Sequence, residues 1–152
     1  MSDFTLTPMT MNDYDEVFAL WHSISGFAMR SIDDSREGVE RFLSRNPGMS
    51  VVARDADGKI AGSILCGHDG RQGQFYHVCV RQDLRRHGIG KEMVVFCMKR
   101  LQEEKINKIR LIAFETNENG NAFWNGIGWE KAAGFNCYDF TLNEKNIIAF
   151  NK

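Results

Sequence analysis

Apolar residues first recur with a helical period at Tyr14, Val17, Leu20, Trp21 and Ile24, after a short alternating run from Phe4 to Thr7. A spacing of three and four places those five on one face of an amphipathic helix, and a spacing of two makes the preceding run a strand. Asp34 with Glu37 three residues on has the form of a capping box, opening a second helix with Val39, Phe42 and Leu43 on its apolar face. Pro47 and Gly48 close it. Ser50 to Arg54 and Lys59 to Leu65 then read as two strands of a hairpin, because Asp57-Gly58 supplies the positive φ of a tight turn. Gly67 to Gly73 signals a second turn, leading into a strand from Gln74 to Val80, so an antiparallel meander is expected. From Gly90 onward Met93, Val94, Cys97, Met98 and Leu101 form the core face of a helix running to about Lys105. Lys108 to Phe114 follows as a buried strand, and strand, helix, strand in that order predicts a right-handed parallel crossover. A short helix from Ala122 to Ile127, a strand from Tyr138 to Leu142 and an apolar tail, Ile147 to Phe150, tied to the fold, complete the reading.

The expected fold class is therefore α/β, a mixed twisted sheet with helices on both faces. At 152 residues, 43% of them hydrophobic, a single domain over 1–152 buries enough surface to need neither disulfides nor a structural metal. Nineteen basic against twenty acidic side chains leave a net charge of −1, which argues against a nucleic-acid protein working by bulk positive charge. Cys66, Cys79, Cys97 and Cys137 include no C-x-x-C pair and have no histidine at zinc-site spacing, so buried free thiols in a reducing compartment and no metal are expected. The N-terminus has no basic-then-apolar leader, and the longest apolar run, Met93 to Met98, is six residues. Neither a membrane span nor secretion follows from such a chain, and a cytoplasmic location is expected.

The chemistry concentrates between Val78 and Lys91, where a basic loop with Gly88 and Gly90 joins a strand to the start of a helix. Amides at a helix start lack intrahelical acceptors and the helix dipole adds positive charge there, so a phosphate is favoured. Arg85, Arg86 and Lys91 add full charges, while a turn carrying solvated arginines is the plainer alternative. The loop is neither a Walker loop, since G-x-x-x-x-G-K-[ST] is missing, nor a complete dinucleotide fingerprint, since its third glycine is missing.

In this segment the sequence resembles the GCN5-related N-acetyltransferase (GNAT) superfamily. Arg85, Gly88 and Gly90 fill its acetyl-CoA signature [QR]-x-x-G-x-[GA]. Asn117, Gly120, Phe123, Trp124, Gly128 and Trp129 keep the spacing of its N-x-x-A-x-x-F-Y-x-x-x-G-F motif. The resemblance implies a GNAT-like acyl-CoA N-acyltransferase fold and transfer of an acetyl group from acetyl-CoA to a primary amine, on a small molecule or a peptide, by direct attack in a ternary complex. It implies that the loop from Arg85 through Arg86, His87, Gly88 and Ile89 to Gly90 and Lys91 holds the pyrophosphate, and that Val78, Cys79 and Val80 flank the pantetheine arm, the Val80 amide polarising the thioester carbonyl. Asn117 is expected to contact that arm, with Phe123 and Trp124 beside its sulfur end.

Two positions depart from the family pattern. Trp124 stands where the family commonly has an acidic tyrosine, and Gln74 where the histone-modifying branch has a basic glutamate. Neither side chain moves a proton usefully. Tyr76 and His77 are then the candidates for proton handling, with Tyr138 a further source of an acid. Plain alternation puts Gln74, Tyr76 and Val78 on one face of the strand and Phe75, His77 and Cys79 on the other, unless a bulge near Val78 re-aims them. His68, Asp69 and Arg71 fit either an acceptor-groove loop or good turn chemistry. Trp21 reads as core, whereas the loop residues Met29 and Arg30 could line an acceptor pocket. Cys79 admits a ping-pong route but reads as a buried spacer. Outside catalysis, the same residues suit a non-catalytic acyl-CoA sensor or, more remotely, a nucleotide-phosphate binder.

Overall fold

The computed structural model describes residues 3–152. Its main sheet has five strands in the order β1, β3, β4, β5, β6, namely Thr5–Pro8, Val51–Arg54, Ile60–His68, Gly73–Val80 and Ile109–Arg110. The first four run antiparallel to their neighbours, and β6 alone is parallel, to β5. The helix between those two, α3 (Ile89–Glu103), provides the expected crossover.

Alternation along the strands separates two cores. Val51, Ala53, Ile64 and Cys66 meet Met93, Val94, Cys97 and Leu101 of α3 on one face. Val52, Leu65 and Cys79 meet the other face's helices, α1 (Tyr14–Ser23) and α2 (Arg36–Arg45). Within this second core Trp21 is fully buried and its indole Nε1 donates to Ser63 Oγ at 3.1 Å, which satisfies both polar atoms. A single 3-10 turn, Met11–Asp13, introduces α1, with Thr10 and Asp13 closing a reciprocal capping box.

Several sequence expectations are corrected. Ser35, not Asp34, caps α2, its Oγ accepting from Gly38 N at 3.1 Å. Met29 and Arg30 belong to a strand, β2 (Ala28–Arg30), which pairs antiparallel with β7 (Ile148–Phe150) and so ties down the tail. The buried strand read over Lys108 to Phe114 shrinks to the two residues of β6, with Ile112 and Phe114 exposed. Tyr138 to Leu142 forms no strand, since none of its main-chain groups has a hydrogen-bond partner among the described residues. Cys66, Cys79 and Cys97 are buried as expected, whereas Cys137, in that same segment, is exposed. The last helix, α4 (Glu118–Gly126), begins four residues earlier than its apolar stripe suggests, because Asn117 caps it by accepting from Gly120 N at 3.0 Å.

Candidate functional site

The site is organised by an irregularity in β5. Ser63 faces Cys79 and Leu65 faces Tyr76, so the single residue Ile64 of β4 stands opposite both His77 and Val78. This is a β-bulge, and His77 occupies it at φ 51, a left-handed conformation that non-glycine residues seldom adopt. Its effect is directional. Phe75 packs toward α3 and plain alternation would have sent His77 after it, but His77 instead sits between the rings of Trp21, 4.7 Å away, and Phe27, 4.9 Å away. Tyr76 and His77 thus project from the same face, that of α1 and α2. The bulge anticipated near Val78 is present and reverses the simple pairing of faces.

His77 is oriented by a residue that sequence reasoning assigned to another task. Its Nε2 lies 2.7 Å from Oδ1 of Asp34. Asp34 is 5% exposed and its other oxygen, Oδ2, accepts from the Arg30 amide at 2.6 Å. Tyr14 Oη donates to the Asp34 carbonyl at 2.6 Å, fixing the backbone as well. A carboxylate only accepts, so this network assigns the imidazole proton to Nε2 and leaves the Nδ1 lone pair free. No buried side-chain nitrogen or oxygen among the described residues lacks a partner, and Nδ1 has none among those residues, so it keeps access to solvent. The signal that could have exposed Asp34 is local: Ser35 is itself a good cap, which releases Asp34 for other use.

Tyr76, 46% exposed, stands edge-on to Phe42 with centroids 5.8 Å apart. Partial burial raises its pKa, offset in part by Arg30, so it stays a phenol and a hydrogen-bond donor at neutral pH. Cys79 is a spacer. Burial pushes its thiol up to about 11, and its Sγ sits 3.6 Å from Ser63 Oγ. Such a thiol is almost wholly protonated at neutral pH and a poor nucleophile.

Beyond β5 the chain makes a 3-10 turn, Gln82–Leu84, and then the basic loop. Arg86 (φ 67) and Gly88 (φ 82) both adopt left-handed conformations, which turn successive amides outward into a concave nest. The amides of Arg86, His87, Gly88, Ile89, Gly90 and Lys91 have no acceptor among the described residues. Gly90 has a steric reason as well: a Cβ there would come within 3.1 Å of Phe123 Cε1 and 3.6 Å of Val80 Cγ2. That contact seats α4 against the loop. Trp124, one residue on, is stacked among Phe123, Phe75 and Trp129.

On the strand itself, the Arg81 amide donates to Ala61 O at 2.7 Å, toward β4. Alternation of an extended strand then turns the Val80 amide to the opposite edge. There β6 has already parted from β5, since the two pair only at Gly73 with Ile109 and Gln74 with Arg110. The β5 edge at Val78 to Val80, which β6 leaves unpaired, thus leads to a nest of free amides. Of the other sequence candidates, His68 and Asp69 serve the turn: His68 Nδ1 accepts from Gly70 N, and Asp69 Oδ1 from the amides of Arg71 and Gln72. These bonds hold the Asp69 carboxyl below the usual carboxylate range. Tyr138 is 89% exposed and outside any packed element.

The family model described as Acetyltransferase (GNAT) family matches residues 13–129. The chain belongs to the GNAT family. As a GNAT protein it is an N-acetyltransferase with acetyl-CoA as its co-substrate. An acetyltransferase of Pectobacterium atrosepticum is 31% identical over 107 residues, 70% of this chain and 74% of that one. Among solved structures, the NatC complex bound to Gag peptide and CoA superposes with a TM-score of 0.73 at 20% identity, over 88% of this chain and 87% of that one. AAC(6')-Iy in complex with a CoA bisubstrate analogue gives 0.70 at 14% identity, over 92% and 99%. These likenesses establish the GNAT fold of the sheet and its helices.

Proposed function

We propose that this GNAT protein acetylates a primary amine by direct attack within a ternary complex, with His77 as proton acceptor and the loop Arg85 to Lys91 as the pyrophosphate site. The single observation that carries the reading is the free Nδ1 of an imidazole locked through Nε2 onto buried Asp34, on the strand that leads into the amide nest.

Acetyl-CoA supplies the acetyl thioester when bound. The residues present fit it: six unpartnered amides suit a diphosphate, and Arg85, Arg86 and Lys91 add charge around them. The unpaired edge of Val78, Cys79 and Val80 offers main-chain groups to an extended amide-bearing arm, and the Val80 amide is the donor for a developing oxyanion. Phe123 backs the loop at Gly90, and Trp124 with its aromatic neighbours makes the floor dry rather than acidic. Asn117 Oδ1 is spent on capping α4, so only its Nδ2 remains to meet the arm. An amine must be neutral to attack; His77 Nδ1 takes its proton, and Asp34 stabilises the imidazolium that results. Tyr76, a phenol on the same face, donates a hydrogen bond to the acceptor. The structural neighbours include a complex bound to Gag peptide and CoA and an enzyme bound to a CoA bisubstrate analogue, which supports amine acceptors of either a small-molecule or a peptide kind.

The test is thiol release from acetyl-CoA with a panel of amines, polyamines and peptide N-termini, for the wild type and His77→Gln. Turnover that depends on the amine and falls with His77→Gln is expected; turnover indifferent to that substitution refutes the role of His77.

A further inference from the structure

Arg30 is a charged side chain left without a partner beside the His77 and Asp34 pair. Its main-chain amide holds Asp34 Oδ2, but its guanidinium meets no carboxylate and no other hydrogen-bond acceptor among the described residues. Arg36, Arg54 and Arg81, by contrast, are each paired with an aspartate.

The surroundings of Arg30 follow from the β2–β7 ribbon. Opposite residues of an antiparallel pair point the same way, and residues two apart on a strand share a face. Arg30 stands opposite Ile148 and Ala28 opposite Phe150, so Arg30, Ile148 and Phe150 share one face while Met29 joins the core on the other. That shared face meets the far side of the main sheet. The Phe150 ring packs on Phe114 with centroids 5.4 Å apart, and Phe114 lies four residues beyond β6. The last β5–β6 pair is Gln74 with Arg110, and counting on from it sets Phe114 across the parted strands from about Val78. On the near side Phe27, which precedes β2, lies 4.9 Å from His77. Phe114 and Phe150 are 47% and 54% exposed, so each keeps apolar surface for a ligand at the level of His77.

The charge here is positive. Arg30 lowers the Tyr76 pKa by more than Asp33 raises it, and the Asp33 carboxylate already accepts from Asn146 Nδ2 at 2.8 Å. A free guanidinium repels a polyamine and takes a carboxylate through paired hydrogen bonds. With Asp33 close by, one negative charge suits the place better than two.

We infer that the acceptor in the acetyl transfer proposed above, on which this inference rests, is a free α-amino acid with an apolar side chain. Its carboxylate pairs with Arg30, its side chain packs on Phe114 and Phe150, and its amine faces His77 Nδ1. The amine nitrogen bonds the acetyl carbon as the carbon–sulfur bond breaks; the amine proton passes to His77 Nδ1, and solvent protonates the departing thiolate of coenzyme A.

Thiol release with phenylalanine, glycine, phenylalaninamide and spermidine tests this, together with calorimetry of N-acetylphenylalanine binding in the presence of coenzyme A. Phenylalanine is expected to exceed each of the other three at least about tenfold in kcat/KM. Arg30→Gln, which keeps the main-chain amide on Asp34, should bring the ratio of phenylalanine to phenylalaninamide to about one and weaken N-acetylphenylalanine at least about tenfold. Arg30→Lys should recover part of both. Phe114→Ala and, separately, Phe150→Ala should erase the preference for phenylalanine over glycine. Turnover that favours spermidine or the amide, or a ratio unmoved by Arg30→Gln, overturns the inference and leaves acetyl transfer standing. Turnover of no amine defeats the transfer reading instead, and N-acetylphenylalanine then decides the ligand class: no binding, or binding indifferent to Arg30→Gln, overturns the inference as well.

Discussion

His77 Nε2 and Asp34 Oδ1 stand 2.7 Å apart although the whole of α2, β3 and β4 lies between their residues in the chain. A bulge in β5 and a turn ahead of α2 meet at this contact, which fixes a tautomer as well as a position. His77→Gln should lower kcat by about 10²–10⁴-fold with little change in the affinity for acetyl-CoA. Asp34→Asn should give a loss of similar size, because an amide can donate to Nε2 and turn the free lone pair inward. Imidazole nitrogen shifts in the two proteins would read the tautomer directly. An unchanged tautomer with reduced activity contradicts the assignment.

Ser35 and Asp34 are adjacent but separable. Ser35→Ala removes the cap of α2 and is expected to cost about 1 kcal/mol in denaturant unfolding while leaving kcat near wild type. Equal effects of the two substitutions on activity would mean that Asp34 matters only through the helix.

The amide nest makes separate demands on its two glycines. Gly88→Ala forces a Cβ into a left-handed conformation at φ 82, at about 1–2 kcal/mol, and Gly90→Val drives a side chain into Phe123. Each should weaken coenzyme A binding in calorimetry at least about tenfold. Unaltered binding by both would move the pyrophosphate site elsewhere.

Cys79 gives stability a dependence on alkaline pH. Its pKa rises from 9.0 to about 11 because burial penalises the thiolate. A raised folded-state value means the contribution is complete below pH 9.0 and is lost as pH climbs through about 11. A shift of about two units corresponds to about 3 kcal/mol, which should appear as a fall in unfolding free energy for the wild type that Cys79→Ala lacks. Parallel pH curves for the two proteins would show that the thiol is not buried as described.

The β5-loop-α3 segment was legible from sequence because everything in it is local: a strand, glycines where the backbone turns left-handed or packs closely, and a helix whose first amides have nowhere else to go. Gly88 and Gly90 could be found by spacing. The direction of His77 could not, since a bulge inserts one residue and changes which face every later side chain takes, and its register depends on β4. Asp34 was misread because capping is a local signal and its true partner lies across the sheet. Lys108 to Phe114 has the composition of a strand, yet composition does not say how many residues find a neighbour to pair with.

Chain pattern alone settled the class of fold and, through two spaced motifs, the family, and it gave the elements from α1 to α3 in their order, β2 apart. Those features are written in periodicity and turn chemistry, which act over a few residues. Tertiary structure decided that His77 faces Trp21 and Phe27 with its Nε2 on Asp34, that Cys79 is buried in the core, and that Tyr138, Phe140 and Leu142 are exposed. Each of these depends on what another part of the chain places nearby, and burial, hydrogen-bond pairing and register are properties of that encounter rather than of any segment by itself.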